Sequence, residues 1–180
     1  SDTGSNMAHT MEAAVAELDN GGDVADSLAF GAVRGARGNS GMVLSQVLRG
    51  VAESTVDSVI DGDVFARSLQ QAVELVDRAI AEPVEGTVIT VLKAAAEAAD
   101  DAEAQSGATL HSIVSAAIAA AEKALERTPS QLPALREAGV VDAGGAGLVI
   151  LLESLLAEIE GSTGHTGLPL SLIHISEPTR

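Results

Sequence analysis

Three glycines fall within seven positions in Gly35-Ala36-Arg37-Gly38-Asn39-Ser40-Gly41, directly ahead of an apolar helical pattern. Glycine lets a backbone take positive φ and approach a ligand closely. The first amides of the following helix have no intrahelical acceptor, and the helix dipole favours an anion there. Asn39 and Ser40 add side-chain donors. From Ser27 to Ala52 there is no Asp or Glu, while Arg34, Arg37 and Arg49 all lie inside that window. In an acidic chain this is a cationic island, and it points to a phosphate-binding turn. The competing explanation is a glycine-rich helix connection with surface arginines, and on this feature alone it has the better claim. The turn is not a Walker A loop, because the Lys-Ser/Thr ending is missing.

Other loops carry weaker signals. Asp2-Thr3-Gly4-Ser5-Asn6-Met7 offers hard oxygen ligands, which suit Mg2+ sharing phosphate oxygens; spacing alone favours a plain N-cap. Thr87 and Asp142 each precede a helical pattern and can cap it or meet a ligand, and in isolation capping is favoured. His9 and Glu12 share a helix face, but a zinc site needs more ligands, so a solvated pair is expected. His111, His165 and His174 carry no pattern. No Ser-His-Asp arrangement or GxSxG elbow is present. The acidic runs Glu97–Glu103 and Glu122–Glu126 are expected to be solvated helix faces.

Helices must hold these loops in place. Phe65, Leu69, Ala72, Val73, Val76 and Ile80 form one helical stripe, with Asp61 or Asp63 as its cap and Pro83 marking its end. Leu110, Ile113, Val114, Ala117, Ile118, Ala121 and Leu125 form another, capped by Thr109, with Arg127 in its last turn. A short helix from about Ser130 to Ala138 follows, with Pro133 in its first turn and Gly139 ending it. Leu148, Val149, Leu152, Leu155, Leu156 and Ile159 mark a well-buried helix. Asn6–Leu18, Val24–Val33, Gly41–Ala52 and Val88–Ala99 complete about eight. Thr55–Ile60 is the one strand candidate. Short connections predict an antiparallel all-α bundle or barrel. Gly38–Leu44 and Gly144–Ile150 echo each other as glycine-rich turns opening buried helices.

The 180 residues suit one domain. There is no cysteine, which fits a reducing, cytoplasmic setting. Ten Lys and Arg against 26 Asp and Glu give a net charge of −16, which argues against a nucleic-acid surface. Hydrophobic residues make up 46%, so the acidity is not that of a disordered chain. Phe30 and Phe65 are the only aromatics, too few for base stacking. The most apolar stretch, Ala138 to Leu156, contains Asp142 and Glu153, so no membrane span is expected. No signal peptide is visible. Leu170–Arg180 looks like translated sequencing adapter, and Gly161–Gly167 looks like linker. The expected organisation is a helical domain over residues 1–160, short at its front, then a linker and artefactual tail over 161–180.

Four motifs in order carry a family resemblance: Asp2-Thr3-Gly4-Ser5-Asn6-Met7, Gly35–Gly41, Pro83-Val84-Glu85-Gly86-Thr87, and Glu137-Ala-Gly-Val-Val-Asp-Ala-Gly-Gly145. Together they resemble the nucleotide-binding domain of the bacterial fatty acid kinase ATP-binding subunit, which is related to the L-subunit of dihydroxyacetone kinase. The likeness runs from Asp2 to about Ile159. It implies a helical barrel that binds ATP and Mg2+ at one end. By that resemblance Asp2 is a metal ligand, and Thr3, Gly4 and Asn6 are phosphate-side residues. Gly38, Asn39, Ser40 and Gly41 form the phosphate turn, and Met42 offers apolar contact to adenine. Thr87, Asp142, Gly144 and Gly145 lie in loops at the same end. The implied acceptor is a fatty acid on a separate fatty-acid-binding partner protein, the product an acyl phosphate for phospholipid synthesis. The chain departs from the pattern at Ser1, where the family has Gly, and lacks the preceding Asp and helix, so weak activity is expected of it alone. A dihydroxyacetone-kinase-like subunit is the runner-up, disfavoured by Thr3, where that relative usually has His. A non-catalytic nucleotide-binding or docking module is the alternative of a different class, and a homodimer is left open.

Overall fold

The computed structural model describes residues 38–54, 59–161 and 168–169, together with residues 6, 9, 10, 12, 13, 31, 32 and 34–36. Its elements are α1 (Gly38–Ser54), β1 (Val59–Ile60), α2 (Gly62–Ala79), α3 (Val88–Glu103), α4 (Leu110–Gln131), α5 (Pro133–Ala138), α6 (Ala143–Gly161) and β2 (Leu168–Pro169). The architecture is all-α. Among the described residues the only extended pairing is antiparallel, Val59 with Pro169 and Ile60 with Leu168. The strand expected over Thr55–Ile60 is thus described only in its last two residues. Asn6, His9, Thr10, Glu12 and Ala13 are helical, as are Gly31, Ala32, Arg34 and Gly35; the remainder of the two helices expected there lies outside the described residues.

Local chemistry fixes the helix starts. The Asp61 carboxylate accepts from the Val64 N–H at 2.8 Å and so caps α2, with Asp63 in the first turn and Arg78 in the last. Thr109 and Ser112 form a reciprocal box at the start of α4: the Ser112 N–H donates to Thr109 Oγ1 at 3.1 Å, and the Thr109 N–H to Ser112 Oγ at 2.9 Å. One face of each helix is then buried: Val64, Phe65, Leu69, Ala72 and Val76 on α2, and Leu110, Ile113, Val114, Ala117 and Ala121 on α4.

The region around Pro129 departs from expectation. The helix start expected near Ser130 is absent, because α4 continues through Pro129 to Gln131 and α5 begins at Pro133. Arg127 is therefore not in the last turn of α4. The cation at that C-terminus is Arg136, which donates from Nη2 to the Ser130 carbonyl at 2.8 Å. Gly139, at φ 67°, ends α5 with two backbone bonds: its own N–H to the Arg136 carbonyl, and that of Val140 to Leu135.

Close glycine contacts fix how the helices pack. A Cβ placed on Gly50 would lie 2.5 Å from the Ser68 carbonyl oxygen and 2.8 Å from the Ala72 nitrogen, so α1 and α2 touch backbone to backbone. Gly62 lies against Ile113 and Leu110, which brings the starts of α2 and α4 to one end. Gly144 lies against Val88 and Ser40, which brings the starts of α1, α3 and α6 together. The Lys93–Asp77 ion pair at 2.9 Å ties α3 to α2, and His111 with Glu160 at 3.1 Å ties the start of α4 to the end of α6. The core is aliphatic, built from Val43, Val47, Leu92, Ile113, Val114 and Leu148 around a single phenylalanine, Phe65. No helix among the described residues is long and apolar enough to cross a membrane.

Candidate functional site

The site lies at the end where α1, α3 and α6 begin. Gly38 takes φ 64°, and a Cβ on it would fall 2.6 Å from Asn6 Nδ2. A Cβ on Gly41 would fall 2.5 Å from Thr10 Oγ1 and 3.4 Å from the Asn6 carbonyl. Thr10 is fully buried and donates to that carbonyl at 2.8 Å. The two glycines therefore let the helix carrying Asn6 and Thr10 lie directly on the first turn of α1. The helix begins at Gly38, not Gly41, so Asn39 and Ser40 sit inside its first turn. Ser40 is buried against Gly144, with 3.4 Å between its Cβ and one built on that glycine.

The loop ahead of α3 is closed by its own hydroxyls. Gly86, at φ 82°, donates its N–H to Thr90 Oγ1 at 3.0 Å, and that hydroxyl donates to Glu85 at 3.2 Å. Thr87 occupies the N-cap position but donates to the Val84 carbonyl at 2.7 Å instead of capping. The start of α3 is thus left without that side-chain cap. Asp142 does cap α6: its Oδ2 accepts from the Gly145 N–H at 2.7 Å, and its carbonyl accepts from Ala146 at 2.9 Å. Gly144 and Gly145 are buried because their missing Cβ atoms would press on Val88 and Val91 at 3.1 and 2.8 Å.

Of the residues expected at the site, Asn6, Gly38, Asn39, Ser40, Gly41, Thr87, Asp142, Gly144 and Gly145 fall in or against these converging helix starts. Met42, in the first turns of α1, is 36% exposed. Asp2, Thr3, Gly4 and the side chain of Asn39 lie outside the described residues. Of the arginine island, Arg49 lies away from the turn. Arg49 is eleven residues along α1 from Gly38, about 16 Å at the helical rise. It is spent on Glu53 and Gln46, each at 3.1 Å. Arg34 is exposed, and Arg37 lies outside the described residues. What sequence reasoning missed is an apolar rim. Val84, Val140 and Val141 are 40–50% exposed and sit in the loops leading into α3 and α6. The only available signal was valine in glycine-bounded loops.

Hard oxygen donors and backbone amides at this end suit a phosphate-bound Mg2+. Asp142 and Glu85 are the carboxylates described in the loops ahead of α6 and α3, and no group of three or more His, Cys, Asp or Glu among the described residues could hold a metal unaided. His9 and Glu12 are both exposed. The trough of about 260 Å³ between α3 and α4, lined by Glu97, Asp101, Lys123 and Arg127 over alanines, shares no residue with this end.

The chain is an all-α domain with the glycine-rich starts of α1 and α6 gathered beside the start of α3. Residues 1–157 match the DAK2 domain family, and the chain belongs to it. It is 40% identical over 168 residues to protein YloV of Bacillus subtilis (strain 168), covering 90% of this chain and 30% of that protein. It is 39% identical over 166 residues to an uncharacterized protein of Staphylococcus aureus (strain USA300), covering 89% of this chain and 30% of that protein. The chain thus spans under a third of the length of these curated relatives. It is a dihydroxyacetone-kinase-like module of a family associated with nucleotide binding.

Proposed function

We propose that this chain is the ATP-binding module, over residues 1–160, of a cytoplasmic kinase of the fatty acid kinase type. The observation that carries this is the meeting of three helix N-termini, with Gly144 of α6 wedged between Ser40 of α1 and Val88 of α3. Each start presents amides without intrahelical acceptors and a partial positive charge, so a polyphosphate is the natural occupant. The amides of Gly38 to Gly41, the Ser40 hydroxyl and the uncapped start of α3 at Thr87 hold the phosphates. Gly144 and Gly145 admit them close to α6, and Thr3, Gly4, Asn6 and Asn39 complete the cradle. Mg2+ would supply charge neutralisation on the phosphates, and Asp2 and Asp142 are the carboxylates that would hold it. Met42, Val84, Val140 and Val141 supply the apolar surface for the base.

Phosphoryl transfer asks a protein mainly for positioning and charge stabilisation. The acceptor is a fatty acid carried by a separate binding protein, and the product is an acyl phosphate. The Asp2-Thr3-Gly4 motif supports this acceptor over dihydroxyacetone. Calorimetric titration with ATP, with and without Mg2+, tests the nucleotide assignment. Mg2+-dependent binding is expected. No binding with or without Mg2+ would overturn it. Phosphate transfer to dihydroxyacetone instead of a protein-bound fatty acid would overturn the acceptor.

A further inference from the structure

Pro129 lies inside α4. A proline has no N–H, so the carbonyl four residues earlier, that of Leu125, loses its helical donor. The Thr128 hydroxyl takes that carbonyl instead, donating at 2.7 Å. The same hydroxyl accepts from the Asp142 N–H at 3.0 Å. Thr128 is fully buried, so its hydroxyl has no water as a substitute partner. Asp142 in turn caps α6 through Gly145. The Thr128 carbonyl also lies beneath Gly86, 3.1 Å from where a Cβ would stand, so the loop ahead of α3 rests on the same residue.

We propose that Thr128 is a positioning residue of the phosphate end: its hydroxyl, bound back to the Leu125 carbonyl that Pro129 leaves without a donor, fixes Asp142 and hence the start of α6. This rests on the nucleotide assignment above. The hydroxyl has two jobs, and they are separable. Replacing Pro129 with alanine returns a backbone N–H to Leu125 but gives Asp142 nothing. A purely structural threonine would matter only through the first job.

The test uses the full chain in four forms: native, Thr128→Ser, Thr128→Val, and Thr128→Val with Pro129→Ala. Thermal melts report the fold, Mg-ATP calorimetry the site, and amide hydrogen exchange the segment from Asp142 to Ala146. Thr128→Ser is expected to bind within about twofold of native. Thr128→Val is expected to melt lower and to bind about tenfold more weakly, the scale of one buried unsatisfied group. The double variant is expected to regain the part of its melting temperature lost through Leu125, while affinity stays about tenfold down and exchange at 142–146 stays fast. Affinity that returns together with the melting temperature overturns the proposal, as does native affinity in Thr128→Val. If the native chain itself binds no ATP, the nucleotide assignment fails separately. Exchange in the double variant then decides the Thr128 role: fast exchange supports it, and native exchange overturns it.

Discussion

Gly50→Ala sets helix propensity against packing, and the structure says packing wins. Gly50 lies inside α1, where alanine is worth about 1 kcal/mol more than glycine by propensity alone. The new Cβ would stand 2.5 Å from the Ser68 carbonyl oxygen, about 0.9 Å short of the 3.4 Å where ordinary contact begins. It would also stand 2.8 Å from the Ala72 nitrogen and 3.2 Å from its Cα. All three are backbone atoms of α2, so no rotamer can give way and the helices must part. A gap of that size forfeits a quarter to a half of each dispersion contact along the seam. Overpacking of this kind costs about 1–3 kcal/mol. Offset by about 1 kcal/mol of propensity, the net loss is up to about 2 kcal/mol, at about 2–4 °C per kcal/mol for a domain of this size. Urea unfolding checks it, with the midpoint falling and the slope unchanged. Gly161→Ala is the control, because nothing lies within 4 Å of that position. A Gly50→Ala chain as stable as native would refute the backbone contact between α1 and α2.

Asp142→Ala removes the cap of α6 and should cost about 1 kcal/mol in urea unfolding, whereas Asp142→Asn keeps an oxygen for the Gly145 N–H and should stay within about 0.5 kcal/mol. If the charge also serves Mg2+, Asp142→Asn weakens ATP binding only when Mg2+ is present; equal binding with and without the metal would leave Asp142 as a cap alone. Glu122 has its pKa raised, first by its hydrogen bond with Glu153, then by burial and by repulsion from that carboxylate. The folded state therefore holds a proton that the unfolded state releases. The stability this brings is present below the ordinary carboxylate range and is lost as pH rises through the raised value. Glu122→Gln should raise the melting temperature at neutral pH and flatten its fall with rising pH; an unchanged profile would count against the pairing.

The helices were legible because their stripes and caps are local. Asp61 and Thr109 cap as their spacing requires, and the apolar faces of α2 and α4 are buried as their periods predict. What failed was also local but of a different kind. A new helix is expected from about Ser130, yet the Thr128 hydroxyl takes the carbonyl that Pro129 leaves without a donor and α4 runs on to Gln131. Thr87 reads as a cap, but its hydroxyl finds the Val84 carbonyl first. Arg49 departs from the cationic island for a longer-range reason. A sequence window counts charges without knowing their height on the helix, and Arg49 lies three turns from the glycine turn, facing Glu53. The gathering of Ser40, Val88 and Gly144 at one end had no local signature beyond the glycines themselves.

The placement of Arg49 bears on how the proposed anion site would work. With a net charge of −16, the chain's long-range field repels a polyphosphate. Arg49 is paired with Glu53 and does not offset it at the helix starts. On the proposed reading the backbone contributes three helix starts, each equivalent to roughly half a positive charge, fixed in place by glycine contacts and by the Asp142 and Thr128 bonds. The Asp142 carboxylate counts against that sum, which is less than a triphosphate carries, so the proposal calls for a divalent cation to complete the balance. The same logic explains why glycine is needed at 38, 41, 144 and 145. The dipoles help only if the three starts come within reach of one ligand, and every added Cβ would push one of them away. Packing and electrostatics are therefore one problem at this end of the domain: the residues that let the helices touch are the ones that concentrate their charge.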